Sequence, residues 1–217
     1  MSARKKYTFI DLFSGCGGLS EGFYRMGFTA LAHVEINHWA CETLRKRMAY
    51  YGYSNIEREV IEKDITSADI LTDIDNAVAG RSVDVIIGGP PCQAYSVAGR
   101  ARMGKAVEED PRNELYKYYV QFLEKYNPKM FVFENVLGII TAKRGEPFAD
   151  LKKLVDELGY DMAAKVQIAS QHGVLQNRQR VIIVGWKRNV SPKSGYPELE
   201  IEDMPYTVMN DLFSDLP

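Results

Sequence analysis

The sequence has no apolar run approaching the roughly 20 residues of a membrane-spanning helix. Its opening residues, Met1-Ser2-Ala3-Arg4-Lys5-Lys6, contain no hydrophobic signal-peptide stretch. Cysteine is scarce: Cys16, Cys41 and Cys92 are an odd set without paired spacing. That excludes a disulfide scaffold and a zinc-finger pattern, and it fits free thiols in a reducing cytoplasm. A surplus of positive charge is also missing. The 27 Lys and Arg stand against 29 Asp and Glu, a net charge of −2, whereas a self-sufficient nucleic-acid binder is usually basic. A nucleic-acid substrate would therefore need local positive charge or another segment to supply it. Internal repeats and low-complexity blocks are absent.

What is present is a chain of 217 residues, 46% hydrophobic and 26% charged. This is enough for one large α/β domain, or one domain with a tail. Strand-like and helix-like stretches alternate. Tyr7 to Phe13 reads as a first strand, followed by the turn Ser14-Gly15-Cys16-Gly17-Gly18 and a helix from Leu19 to Met26. Thr29 to Ile36 is a second strand, and Asn37 caps a helix to about Tyr50, on which Ala40, Leu44 and Arg47 or Met48 repeat at helical spacing. Val60 to Ile65 is a third strand, and Ser67 to Val78 a helix. Val83 to Ile87 is a fourth strand, stopped by Gly88-Gly89-Pro90-Pro91, with Cys92 immediately after. Val97 to Pro111 reads as a mobile charged loop, Asn113 to Tyr126 as a helix, and Met130 to Asn135 as a fifth strand. A helix over Pro147 to Leu158 closes at Gly159, and strands follow at Asp161 to Ala169 and Val181 to Trp186. The fold class expected is a doubly wound, mostly parallel α/β sheet with helices on both faces. Residues 1–187 form the domain, and 188–217, rich in Pro, Ser, Asp and Glu, form a tail.

Glu35, Asp64, Cys92 and Glu134 all fall at or just past strand carboxyl ends, where open parallel sheets hold their ligands. The Gly15-x-Gly17-Gly18 turn follows β-strand residues and opens a helix, as nucleotide-binding turns do. It departs from the GxGxxG dinucleotide pattern, because Ser20 occupies the last position. That favours an adenosine-containing cofactor other than a dinucleotide.

Four segments together resemble the cytosine-carbon-5 DNA methyltransferases. Asp11-Leu12-Phe13-Ser14-Gly15-Cys16-Gly17-Gly18 is similar to the family's S-adenosylmethionine loop, Pro91-Cys92-Gln93 to its catalytic motif, Glu134-Asn135-Val136 to its Glu-Asn-Val motif, and Gln176-Asn177-Arg178-Gln179-Arg180 to its Gln-x-Arg-x-Arg motif. The similarity runs from about Tyr7 to Trp186. It implies a Rossmann-like methyltransferase fold. It also implies transfer of a methyl group from S-adenosyl-L-methionine to carbon 5 of a flipped-out cytosine in double-stranded DNA, as in bacterial restriction–modification. Phe13, Gly15, Gly17 and Gly18 would form the cofactor loop, Glu35 would hold the ribose, and Asp64 and Ile65 would border the adenine. Ile36 would pack on the adenine where relatives often have Trp, and Pro91 and Leu115 would line the same pocket.

On the substrate side, the resemblance makes Cys92 the nucleophile on carbon 6, Glu134 the partner of ring nitrogen 3 and Arg180 the partner of oxygen 2, with Arg178 buttressing the loop. Cysteine suits such a step, being strongly nucleophilic and a good leaving group afterwards. Arg100, Arg102 and Lys105 on the charged loop would meet phosphates, or else simply be solvated. Cys16 and Cys41 read as structural, and His33, His38 and His172 as ordinary surface or core residues. Complete relatives carry a target-recognition region and later motifs that are not visible here. The chain is thus expected to be a shortened form or one subunit of a split enzyme, partnered by the complementary C-terminal part. An RNA cytosine-5 methyltransferase of the same fold is the nearest alternative, and a nucleotide-dependent oxidoreductase a more distant one.

Overall fold

A computed structural model describes residues 7–91, 111–190 and 195–197. The strands are β1 (Thr8–Leu12), β2 (Thr29–Glu35), β3 (Val60–Glu62), β4 (Val85–Gly88), β5 (Met130–Asn135), β6 (Tyr160–Ile168) and β7 (Gln179–Lys187). The helices are α1 (Gly18–Arg25), α2 (His38–Tyr50), α3 (Ile56–Glu59), α4 (Ile70–Val78), α5 (Leu115–Tyr126), α6 (Gly138–Thr141) and α7 (Glu146–Glu157). The described strands form one sheet in the order β3-β2-β1-β4-β5-β7-β6. β1 to β5 pair in parallel, and β7 runs antiparallel between β5 and β6. Strand order reverses between β1 and β4, the kind of position at which such sheets bind ligands.

The short β-branched and aromatic runs make buried central strands because both faces are covered. Alternate residues go to opposite sides. Ile10, Leu12, Ile86 and Phe131 join the core under α4, α5 and α7, while Phe9, Val85 and Ile87 meet Tyr24 and the half-buried Leu19 and Phe23 of α1. On α2 the buried residues are Cys41, Leu44 and Met48, so Leu44 and Met48 face inward at the expected spacing and Cys41 takes the place expected of Ala40. The Asn37 side chain accepts a hydrogen bond from the Ala40 amide at 3.0 Å, as a helix cap does. Tyr119 is fully buried, its hydroxyl 2.9 Å from the Ile86 carbonyl and 3.0 Å from that of Val132, so α5 is keyed to β4 and β5.

Three sequence expectations need correction. The third strand stops at Glu62, not Ile65, because Asp64 folds its side chain onto the Thr66 amide and hydroxyl, both at 2.8 Å, making a turn. The following helix starts at Ile70, after the turns around Ser67. Cys16, expected to be structural, is exposed, whereas Cys41 is buried as expected.

Two buried polar side chains face α1 from adjacent strands. Asp11 on β1 accepts a hydrogen bond from the Ser20 hydroxyl, and His33, its register partner on β2, pairs through Nε2 with the Tyr24 hydroxyl at 2.5 Å. Burial, helped by the nearby Glu35 charge and opposed by the Ser20 bond, raises Asp11 to about 7. Burial lowers His33 to about 3. Their linkage effects have opposite signs. As pH rises from about 4 to 7, the unfolded chain loses the Asp11 proton while the folded one keeps it, so stability falls. Over about 3 to 6.5 the unfolded chain holds a His33 proton that the folded one lacks, so stability rises with pH. The two nearly offset between about 4 and 6.5. Asp11→Asn is therefore expected to expose the His33 slope, with stability rising by up to about 1.4 kcal/mol per pH unit in that window. Urea unfolding at pH 4.5 and 6.5 measures it against the wild type, and a variant with the wild-type pH dependence would refute the account.

Candidate active site

Two glycines make the central turn possible. A β-carbon on Gly88 would lie 2.4 Å from the Leu12 carbonyl oxygen, so β4 ends in close contact with the end of β1. A β-carbon on Gly89 would lie 2.9 Å from Glu134 Oε2. Only residues without side chains let this turn pass between β1 and β5. Pro90 and Pro91 follow, and the Asn135 side-chain amide donates to the Pro90 carbonyl at 3.1 Å, while its oxygen accepts from the Val136 amide at 2.8 Å. Asn135 thus uses both ends of its amide, while buried, to tie the turn to β5.

On one side of this turn lies a cleft of about 450 Å³, within the usual range of roughly 300–1,000 Å³ for small-molecule sites. Its apolar wall comprises Phe13, Val34, Ile36, Ile65, Pro91 and Leu115, and Glu35, Lys63, Asp64 and Thr66 supply polar groups. Gly89 completes it. The structure therefore brings together seven expected cofactor residues: Phe13, Glu35, Ile36, Asp64, Ile65, Pro91 and Leu115. Val34, Lys63 and Thr66 are additional, and no motif pointed to them.

Gly15, Gly17 and Gly18, expected on the cofactor side, are not among the residues that line the cleft. Gly17 has φ 79°, and a β-carbon there would meet Leu44 Cδ1 at 2.7 Å, so both backbone and packing call for glycine. Phe13, at φ 60°, is a strained non-glycine residue beside the cleft, which is where such strain collects. Glu35 holds the loop in place: Oε2 accepts from the Gly15 amide and Oε1 from the Asn37 amide, each at 2.8 Å. A carboxylate offers about four acceptor positions, so two remain for a ligand. Ile36 is 65% exposed at the cleft's mouth.

On the other side of the turn stand Glu134 and Arg180. Arg180 Nε lies 2.8 Å from Glu134 Oε1, with side chains 24% and 30% exposed. The antiparallel pairing of β7 with β5 creates this contact. Asn135 pairs with Val181, so the start of β7 reaches the carboxyl end of β5. Arg178 is exposed and outside this pair, and its backbone carbonyl accepts from the Ala169 amide at 2.9 Å to close the β6–β7 connection. Cys92, expected to be the nucleophile, lies outside the described residues, as do Arg100, Arg102 and Lys105. Pro91, the residue before Cys92, is on the cleft. Asn135, quoted as part of a motif, gained its positioning role only from the contacts.

A doubly wound sheet with a ligand-sized cleft at its switch point and an acid–guanidinium pair beside it is a Rossmann-like ligand-binding arrangement. A profile of the C-5 cytosine-specific DNA methylases matches residues 7–216. The chain is 35% identical to the type II methyltransferase M.Bpa9945I of Bacillus paralicheniformis, covering 96% of this chain and 60% of that protein. It is 39% identical to M1.HphI of Haemophilus parahaemolyticus, over 83% of this chain and 46% of that one. Among solved structures, a DNA modification methyltransferase encoded within an E. coli prophage superposes with a TM-score of 0.67 at 30% identity, over 85% of this chain and 48% of that one. The Entamoeba histolytica methyltransferase EhMeth has the same TM-score at 20% identity, over 92% of this chain and 57% of its own, a likeness of fold. The chain belongs to the C-5 cytosine-specific DNA methylase family. It spans 60% or less of the length of these curated relatives.

The two turn glycines make different demands. Gly88→Ala would press on backbone, which cannot yield, and is expected to cost about 1–3 kcal/mol. Gly89→Ala meets chiefly the Glu134 carboxylate and should cost less while displacing that side chain. Urea midpoints of the two variants test this, and an equal or larger loss for Gly89→Ala would contradict it.

Proposed function

We propose that this chain is the cofactor-binding and catalytic part of an enzyme that transfers a methyl group from S-adenosyl-L-methionine to carbon 5 of cytosine in double-stranded DNA. The observation that supports this most is that the cleft and the Glu134–Arg180 pair flank one turn, Gly88 to Pro91, that leads directly to Cys92. The cleft suits an adenosine-type cofactor. Its apolar wall can sandwich a planar base, and the two unused acceptor positions of Glu35 can take ribose hydroxyls. When bound, that cofactor supplies an electrophilic methyl group.

The chain's residues would do the rest. The Cys92 thiolate adds to carbon 6 of a base turned out of the duplex, forming a carbon–sulfur bond and pushing electrons to carbon 5. Carbon 5 takes the methyl group, then loses its proton to a base, and the carbon–sulfur bond breaks to return the thiolate. Glu134 would hold ring nitrogen 3, and Arg180 would hold oxygen 2 where negative charge develops. Arg178 would support the loop that carries Arg180. The target base would enter against the Glu134–Arg180 contact, exchanging that ion pair for bonds to its own edge. Residues 1–187 would form the catalytic domain. Residues 188–217 would lead toward target-recognition machinery supplied by a complementary C-terminal part, in keeping with the greater length of the relatives. The setting would be the cytoplasm. No described helix is long and apolar enough to cross a membrane.

The test offers the chain S-adenosyl-L-methionine and a duplex containing 5-fluorocytosine, which has no carbon-5 proton to lose and so traps the adduct. The expected result is a covalent adduct, absent in Cys92→Ser. An adduct formed through another residue would overturn the mechanism, and the same assay on an RNA oligonucleotide separates the two polymers. Independently, Glu35→Ala is expected to weaken S-adenosyl-L-methionine binding by about tenfold or more in calorimetry, the worth of one to two hydrogen bonds.

A further inference from the structure

The turn between α6 and α7 carries a cationic pair that the chemistry above leaves unused. Lys143 (φ 46°, ψ 41°) and Arg144 (φ 57°, ψ 26°) are both left-handed, and Gly145 continues at φ 85° and ψ 8°. Glycine or asparagine normally takes such positions, because a β-carbon is crowded there. The backbone is committed to this path on both sides, since Ile139 and Ala142 are buried before it and Pro147 after it. Strain of this kind persists where the surroundings enforce it and gathers at functional sites.

The two side chains are exposed, and neither forms an ion pair with a described carboxylate, including the exposed neighbour Glu146. Their place in the fold is specific. β5 ends with Glu134 and Asn135, α6 follows, and α7 then runs back along the sheet, so the turn stands at the rim that bears the Glu134–Arg180 pair. On a chain whose net charge is −2, a fixed, unpaired cationic pair at the substrate rim suits a polyanion. A turn serving only to reverse the chain needs neither charge nor the strain of two adjacent side chains.

We infer that Lys143 and Arg144 bind backbone phosphates of the duplex beside the base that enters the site. This rests on the DNA-methylating reading of that site. Phosphate contacts set register and orientation without reading sequence, so the pair acts on all duplexes alike. Each phosphate contact contributes about 0.9 to the slope of log affinity against log salt.

The experiment measures binding of the chain to a short fluorescent duplex across a salt series, for the wild type, the glycine double variant Lys143→Gly/Arg144→Gly, and the charge-keeping Lys143→Arg/Arg144→Lys. The glycine variant is expected to lose about 1.8 from the salt slope. Relieved of strain, it should melt about 2–4 °C higher per replaced residue. The charge-keeping variant should bind with the wild-type slope. Equal slopes for the wild type and a glycine variant that melts at or above the wild-type temperature overturn this inference alone. A wild-type chain that shows no duplex binding even at low salt also overturns this inference, while the reading it rests on is decided separately by the 5-fluorocytosine adduct.

Discussion

The close approach of β4 to β1 is the constraint from which the site follows. With a β-carbon's position on Gly88 only 2.4 Å from the Leu12 carbonyl, the two central strands end in contact, and their chains must then part in opposite directions. From β1 the chain turns through Phe13 and Gly15 toward β2. From β4 it turns through Gly89 and Pro90 toward β5. The gap left by this divergence is the cleft, with Phe13 on one bank and Gly89 and Pro91 on the other. A side chain at position 88 would either separate the strands or close the gap.

The same turn couples the cleft to the acid–guanidinium pair. Gly89 abuts the Glu134 carboxylate, and the Asn135 amide donates to the Pro90 carbonyl, so the bank of the cleft is tied directly to the end of β5. On the cofactor bank, Glu35 performs the corresponding task by accepting from Gly15 and Asn37. Each side of the site is therefore ordered by a polar side chain whose backbone bonds fix a loop before any ligand arrives. Such preorganisation limits the reorganisation a bound ligand would require.

Much of this architecture could be read from the residues. The bounds of β5 coincide with the run Met130 to Asn135, because a β-branched and aromatic stretch between Asn127-Pro128 and a polar end leaves little choice. The Asn37 cap and the acids Glu35 and Asp64 were likewise marked by local chemistry, whereas Phe13, Ile36, Ile65, Pro91 and Leu115 were marked by the family resemblance. The third strand was read through Asp64, which lies just past its end, because the Asp64 side chain turns the chain by accepting from the Thr66 amide, a contact that alternation of polar and apolar residues does not register. Lys63, Thr66 and Val34 were missed because their part in the cleft depends on which neighbouring strands end beside them. The buried Asp11–Ser20 and His33–Tyr24 pairs look like ordinary polar residues in sequence, and only packing against α1 makes them titrate abnormally.

The sequence by itself determined the order of strands and helices, the glycine and proline stops at the strand ends, and the residue types able to hold a cofactor and attack a base. These follow from side-chain volume, branching and local hydrogen bonding. What only the tertiary structure decided is how Arg180 meets Glu134. Arg180 lies at the beginning of β7, and in a parallel strand it would stand at the opposite end of the sheet from Glu134. Because β7 enters antiparallel between β5 and β6, its beginning reaches the carboxyl rim. Strand direction is set by backbone pairing across the whole sheet, and a strand's own residues read alike in either direction.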